Sequence, residues 1–123
     1  MPPIKVVDAS ALGALAFGEP EAEGVSTAMS NGVLVAPLLI WFELSSICLK
    51  KIKRHPDQKI NLLKAFNLAK VLPIEMAAVD YLGAIRLAEE KQITTYDACY
   101  LWISQQLNGE LISLDRRLLA AAK

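Results

Sequence analysis

Four acidic residues occur at positions where an ordinary surface charge is not expected. Short apolar runs that predict β-strands lead into Asp8 and Asp115, Asp97 falls in the first turn of a predicted helix, and Glu43 lies among bulky apolar residues. An ionised carboxylate in apolar surroundings is costly unless it is paired or bound to a cation. Mg²⁺ and Mn²⁺ prefer carboxylate and water ligands and can activate a water or polarise a phosphoryl oxygen. The four acids therefore suggest a divalent metal site.

Each of these acids also has an ordinary structural alternative. Asp115 could cap the helix that follows it, and Asp8 could cap the first helix, although Ser10 competes for that position. Asp97 could be a first-turn acid that interacts favourably with the helix dipole. Glu43 could lie on the exposed face of its helix. The sequence alone leaves these alternatives open.

The elements that would position the acids alternate along the chain. Strands are predicted over residues 5–7, 33–35, 71–74 and 111–113. Helices are predicted over residues 11–17, 20–30, 37–53, 57–69, 77–91, 95–107 and 116–122. Strands separated by helices imply a parallel sheet in a layered α/β fold. Ligands of such sheets bind beyond the carboxyl ends of the strands, where Asp8 and Asp115 are expected.

Length and composition restrict the possible functions. The 123 residues fit one domain, predicted to span residues 1–123, and a hydrophobic content of 54% excludes intrinsic disorder. The 13 basic residues equal the 13 acidic ones, so a strongly basic nucleic-acid binder is excluded. Nucleic acid would have to be bound by a local patch or through metal ions. No secretory signal and no membrane span is predicted, so we expect a cytoplasmic protein.

Other chemistries fit the sequence poorly. The glycine-rich fingerprints of nucleotide-binding loops are missing, and the single His55 lies near no nucleophile motif. Ser10 stands where a phosphatase of the haloacid dehalogenase type would have a second aspartate. Cys48 and Cys99 fall in apolar helical patterns and are expected to be small buried residues rather than zinc ligands.

Four segments of the chain resemble the motifs of PIN-domain ribonucleases, and more specifically those of VapC-type toxins from prokaryotic toxin–antitoxin pairs. They occur in the family's order and spacing and extend over nearly the whole chain. The segments are Val6-Val7-Asp8-Ala9-Ser10-Ala11-Leu12, Trp41-Phe42-Glu43-Leu44, Thr95-Tyr96-Asp97-Ala98-Cys99-Tyr100-Leu101 and Leu114-Asp115-Arg116-Arg117-Leu118.

The resemblance implies a PIN-like three-layer α/β sandwich with a short parallel sheet of four to five strands. It further implies an Mg²⁺- or Mn²⁺-dependent endoribonuclease that leaves a 5′-phosphate and a 3′-hydroxyl. Asp8, Glu43, Asp97 and Asp115 would bind the metal as an acidic quartet. Ser10 and Ser113 resemble supporting hydroxyls, although either could be a plain cap or strand residue.

The resemblance also implies partners: an RNA substrate, a second copy of the chain in a homodimer, and a cognate antitoxin that inserts into the site. Relatives often have an additional short strand after the last helix. Whether such a strand forms one edge of the sheet here is not specified by the sequence.

Several residues could contact RNA. Arg116 and Arg117 follow Asp115 directly and would lie near the scissile phosphate. The basic segment over residues 50–55 could hold the RNA backbone, although the solvated end of a helix explains it more simply. Helical spacing favours core packing over base stacking for the aromatic residues Tyr96, Tyr100 and Trp102.

One alternative function belongs to a different class. The same fold could serve as an interaction module that binds a partner through an apolar face without catalysis. Such a module would be expected to lose at least one acid of the quartet. All four acids are present, which favours an enzyme.

Overall fold

The computed structural model describes residues 2–123 and contains a small sheet surrounded by helices. The strands are β1 (Ile4–Val7), β2 (Val33–Ala36), β3 (Ile74–Met76) and β4 (Glu110–Ile112). The helices are α1 (Ala9–Ala16), α2 (Ala22–Met29), α3 (Leu39–Arg54), α4 (Lys59–Ala69), α5 (Tyr81–Lys91), α6 (Thr95–Leu107) and α7 (Arg116–Ala121). A single 3₁₀ turn, Pro56–Gln58, separates α3 from α4.

All four strands are parallel, in the order β3-β2-β1-β4. The central pairing places Val6 of β1 opposite Val35 of β2 on one side and Leu111 of β4 on the other. Helices connect each strand to the next along the chain, as parallel pairing requires. The predicted α/β fold with a short parallel sheet is confirmed, with β4 as one edge of the sheet.

The core is built around β1 and the helices nearest to it. Val6 and Val7 are completely buried, because β1 is covered by apolar side chains such as Leu12 of α1 and Leu101 of α6. Such a strand reads as a continuous apolar run rather than an alternating one. Cys48 is buried and Cys99 is partly buried, and both are free thiols, as expected for small packed residues.

Several element boundaries differ from the sequence-based prediction, and two of the differences have clear local causes. Residues 71–72 close the turn after α4, where Val71 N donates to Leu68 O, so the third strand begins only at Ile74, after Pro73. Helix α5 begins at Tyr81 rather than residue 77, because Asp80 caps it by accepting a hydrogen bond from Gly83 N.

Within residues 2–123, no helix combines the length and the apolar character needed to cross a bilayer.

Candidate active site

The carboxyl ends of β1 and β4 bring distant parts of the chain together. Asp8 follows β1, and its backbone amide donates to Ile112 O of β4 at 3.1 Å, which extends the pairing to the last residue of each strand. Ser113 follows β4 immediately, and Asp115 comes two residues later. The strand order therefore places residues of the first and the fourth motif side by side.

Asp8 is the most constrained acid of the quartet. Its side chain is 5% exposed, and Oδ1 accepts hydrogen bonds from Ala11 N at 3.0 Å and Ser10 Oγ at 2.7 Å. Oδ2 accepts from Ser113 Oγ. Asp8 is thus the N-cap of α1, which begins at Ala9, and the prediction that Ser10 caps this helix is wrong. Capping and membership of an acidic cluster are compatible, because one carboxylate does both.

The two serines connect the ends of β1 and β4. Ser10 Oγ accepts from Leu114 N, and Ser113 Oγ accepts from Asp115 N, both at 2.9 Å, while each hydroxyl donates to Asp8. Asp8 and Ser113 are the only buried polar residues in the part of the chain described. A buried carboxylate is tolerated only when such donors satisfy it. Neither serine is a plain cap or strand residue.

Asp115 and Asp97 both lie at helix N-termini. Asp115 Oδ1 accepts from Arg117 N at 2.9 Å and Leu118 N at 3.2 Å, so this residue caps α7. Thr94 caps α6 by accepting from Asp97 N at 3.0 Å, which puts Asp97 in the first turn. The orphan amides and the dipole of a helix N-terminus favour a negative charge at both positions.

Glu43 is held by a residue that sequence analysis assigned to packing. Tyr100 Oη donates to Glu43 Oε1 at 2.6 Å, joining α6 to α3. The Tyr100 side chain is only 1% exposed, so the prediction that its ring packs in the core is correct. The hydroxyl contact was missed, although Tyr100 lies one helical turn after Asp97, and that spacing could have suggested it. Glu43 is partly buried, so it does not lie on an exposed face.

The four acids line one cavity of about 260 Å³. It is also lined by Ser10, Tyr100 and a row of residues from α3 that begins with Glu43 and continues through Ser46, Ile47 and Lys50. Ser113 is not in the lining and contacts the site through Asp8. Arg116 and Arg117 are exposed and lie outside the lining.

Neighbouring acids oppose the ionisation of Asp8, Glu43 and Asp97. Burial raises the pKa of Asp8, although its three hydrogen bonds counteract this, and the charge of Asp115 adds to the rise. Burial likewise raises the pKa of Glu43 and of Asp97, and charge repulsion from other acids of the quartet raises both further. Arg117 lies close enough to lower the pKa of Asp97 in part. A cation in the cavity would relieve this repulsion.

The residues present fit a hard divalent cation by their donor chemistry. All four candidate ligands are carboxylates. A bound Mg²⁺ or Mn²⁺ would neutralise their combined negative charge. Among residues 2–123, no three side chains of the His, Cys, Asp and Glu types lie close enough together to enclose an ion. Direct coordination by three or more of the carboxylates would therefore require them to move toward one another, whereas one or two carboxylates with bound waters would suffice for Mg²⁺.

Comparison with known proteins shows the family of this chain. The family model described as the PIN domain matches residues 5–123. The chain belongs to the PIN-domain family. It is 31% identical over 118 residues to Ribonuclease VapC3 of Pyrobaculum aerophilum, an alignment that covers 92% of this chain and 90% of that protein.

A solved structure shares the PIN fold. The crystal structure of PAE2754 from Pyrobaculum aerophilum superposes with a TM-score of 0.79 and 22% sequence identity, covering 100% of this chain and 89% of that one. At this identity the likeness concerns the fold alone. The family resemblance inferred from the four motifs is confirmed.

Tyr100→Phe in this PIN domain should weaken metal binding without unfolding the protein. The ring remains packed, but Glu43 loses its hydrogen-bond donor. Loss of a partner that orients a metal ligand typically costs ~10–100-fold in affinity. Calorimetric titration with Mn²⁺ measures the effect, and Tyr96→Phe, at an exposed position on the same helix, is the control. Equal Mn²⁺ affinity for Tyr100→Phe and the wild type would show that the hydrogen bond does not matter.

The raised pKa values of Asp8, Glu43 and Asp97 predict a pH dependence of stability for the metal-free protein. A carboxyl with a higher pKa in the folded state binds more protons there, so its contribution to stability falls as pH rises from about 4 through the raised values. Asp8→Asn removes one such group. In EDTA, the Tm of Asp8→Asn minus that of the wild type should therefore increase as the pH rises from about 4 to neutrality. A difference that shrinks over this range would contradict the direction of the shifts.

Proposed function

We propose that this PIN domain, over residues 1–123, is a metal-dependent endoribonuclease and the toxin of a VapBC-type toxin–antitoxin pair. The observation that carries the proposal is the convergence of Asp8, Glu43, Asp97 and Asp115 in one cavity. These acids come from four separate parts of a chain that is 31% identical to a protein named Ribonuclease VapC3. Action on cellular RNA implies the cytoplasm as its location.

The acidic quartet would hold one or two Mg²⁺ or Mn²⁺ ions. A bound ion of this kind supplies a water of lowered pKa and a Lewis acid for the phosphoryl oxygen. The chain's own contribution is to fix the carboxylates: Ser10 and Ser113 orient Asp8, and Tyr100 orients Glu43. Asp115 uses one oxygen to cap α7, and its Oδ2 makes no hydrogen bond within the described residues.

Substrate RNA would reach this cavity past the start of α7. Arg116 and Arg117 are exposed next to Asp115. The positive charge of Arg117 partly lowers the pKa of Asp97. Guanidinium groups bind phosphate through paired N–H donors, so both arginines suit the RNA backbone. Hydrolysis of the phosphodiester would leave a 5′-phosphate and a 3′-hydroxyl, as in the family.

Cleavage of labelled single-stranded RNA tests the proposal. Purified protein, free of antitoxin, is incubated with Mg²⁺, with Mn²⁺ or with EDTA. We expect cutting that needs a divalent ion. If a folded protein binds no Mn²⁺ and cuts no RNA, the alternative of a non-catalytic interaction module becomes the better description.

A cognate antitoxin is the proposed regulatory partner. The cavity that it would enter carries four acids, so an inserting segment should present basic side chains. Copurification of the antitoxin encoded with this chain, followed by loss of RNA cleavage when it is added back, tests this partnership. An antitoxin that binds but leaves cleavage unchanged would argue against insertion into the site.

We also propose a homodimer formed through an exposed apolar face, named here the α3–α5 face. Its most exposed members are Leu38, Phe42, Tyr81, Ile85 and Tyr96, which line a groove of about 910 Å³. A soluble monomer rarely leaves a large contiguous apolar patch uncovered. Phe42 and Tyr96 directly precede Glu43 and Asp97, so this face adjoins the acidic cavity.

Sedimentation velocity tests the homodimer. Ile85→Lys places a charge on the α3–α5 face, at a side chain that is 54% exposed, and should shift the protein to monomer. Leu68→Lys is the matched control, because Leu68 is 69% exposed on α4 and does not line the groove. A monomeric wild type, or a dimer that survives Ile85→Lys, would count against this interface.

A further inference from the structure

One exposed basic side chain contributes to the lining of the acidic cavity. Lys50 of α3 lines it together with the quartet, and it is the only Lys or Arg among residues 2–123 that does so. We propose that Lys50 binds a phosphate of the RNA substrate within this cavity, at a position separate from the scissile phosphate. The inference rests on the proposed ribonuclease function and adds a substrate contact to it.

The geometry of α3 extends the cavity away from the acids. Ser46, Ile47 and Lys50 lie three, four and seven residues after Glu43, so the four residues share one face of the helix. With a rise of 1.5 Å per residue, Lys50 lies about 10 Å along the helix axis from Glu43. Because the backbones of Glu43 and Lys50 are separated by this length of helix, we infer that a phosphate bound by Lys50 is not the one that lies at the quartet.

The other basic residues of the segment 50–55 are placed differently. Lys51 forms an ion pair with Glu19 and lies over the ring of Phe17. Lys53 is exposed and does not line the cavity. Of the segment that sequence analysis treated as one solvated helix end, only Lys50 faces the candidate active site.

The ammonium group of Lys50 is available for a ligand. Within residues 2–123, Lys50 forms no ion pair, and its Nζ is not a donor in any hydrogen bond. A lysine that served to neutralise the quartet would be paired with one of its carboxylates. Lysine is a compact charge on a flexible stem, which suits it to phosphate. Because the quartet repels an RNA backbone, a positive charge in the same cavity would offset part of that repulsion.

The salt dependence of RNA binding tests the proposal. Binding of a fluorescent single-stranded RNA is measured by anisotropy in the Asp8→Asn background, with Mg²⁺ present, between 50 and 200 mM salt. Each phosphate contact on a single strand contributes about 0.7 to the slope of log K against log salt. Lys50→Gln should reduce the slope by about this amount and weaken binding about tenfold, as the loss of one charge-assisted hydrogen bond would.

Two further variants separate this effect from a general change of charge. Lys53→Gln removes the same charge from the same helix outside the cavity, and its slope should match that of the background protein. Lys50→Arg keeps the charge and should keep the slope. In the active protein, Lys50→Gln should raise KM and leave kcat within about twofold, because the contact is made equally in the ground state and the transition state.

The outcomes distinguish this proposal from the proposed function. If the wild type cuts RNA but Lys50→Gln and Lys53→Gln show the same salt slope and the same KM, the Lys50 contact is wrong and the ribonuclease assignment stands. If the wild type neither binds nor cuts RNA, both are wrong.

Discussion

Asp8→Asn is expected to reduce RNA cleavage by more than about 100-fold. Removing a residue that hydrogen-bonds to a metal ligand typically lowers metal affinity or activity ~10–100-fold. Removing a ligand itself should therefore lower activity by more. Asp8 lies at the centre of the site, since both Ser10 and Ser113 donate to it and its charge raises the pKa of Glu43 and Asp97. Cleavage of labelled RNA with Mg²⁺ and with Mn²⁺ measures the loss.

The fold should survive this change. Asparagine retains Oδ1, which accepts from Ala11 N and Ser10 Oγ, and asparagine is as good an N-cap as aspartate. Its amide nitrogen would face Ser113 Oγ and could donate to it. Circular dichroism should therefore be unchanged, and the metal-free Tm should not fall.

A matched control is available at another helix N-terminus. Asp80 caps α5 through Gly83 N, is exposed and does not line the acidic cavity. Asp80→Asn makes the same chemical change at the same kind of position, and it should cleave RNA at the wild-type rate. If Asp8→Asn cleaved RNA as fast as Asp80→Asn, the assignment of Asp8 to the metal site would be wrong.

Glu43→Gln should have opposite effects on activity and on stability. We expect cleavage to fall by more than about 100-fold, because a second carboxylate of the quartet is lost. In metal-free buffer the Tm should rise by up to a few degrees. Burial and the charges of Asp97 and Asp8 raise the pKa of Glu43, which means that its ionised form opposes folding.

The structure explains why glutamine is the appropriate replacement. Its side-chain oxygen can still accept from Tyr100 Oη, so the buried hydroxyl keeps its partner. Glu90→Gln, on the exposed side of α5, is the control for the charge change alone. Differential scanning calorimetry in EDTA and the RNA assay together test both effects. A clear loss of metal-free stability would identify Glu43 as a structural residue instead.

The positions of Asp8 and Asp115 could be predicted because the ends of strands can be recognised in the sequence. The apolar run before Asp8 ends abruptly in a carboxylate, and the run before Asp115 ends in the same way, so a parallel sheet places both at one edge. Glu43 is recognisable for a different reason, since a charge among bulky apolar neighbours needs an explanation.

Contacts between elements could not be predicted in the same way. The hydrogen bond from Tyr100 to Glu43 depends on how α6 packs against α3, and no local pattern specifies that distance. The separation of Lys50 from Lys51 depends on helix rotation relative to the sheet and on the position of Glu19. The late start of β3 follows from a turn after α4 that a run of apolar residues does not reveal.

The serine-mediated connection between the ends of β1 and β4 affects when the enzyme can become active during synthesis. Asp8 and Ser113 are separated by 105 residues, yet each needs the other to be satisfied in the core. Closing so long a loop costs conformational entropy. The contact therefore forms late, after other contacts of the fold have formed. A growing chain still attached to the ribosome lacks residues 113 and 115 until nearly all of the described sequence has been made. The RNA being translated is therefore not exposed to a completed site before residue 115 has been added to the chain and has left the ribosome.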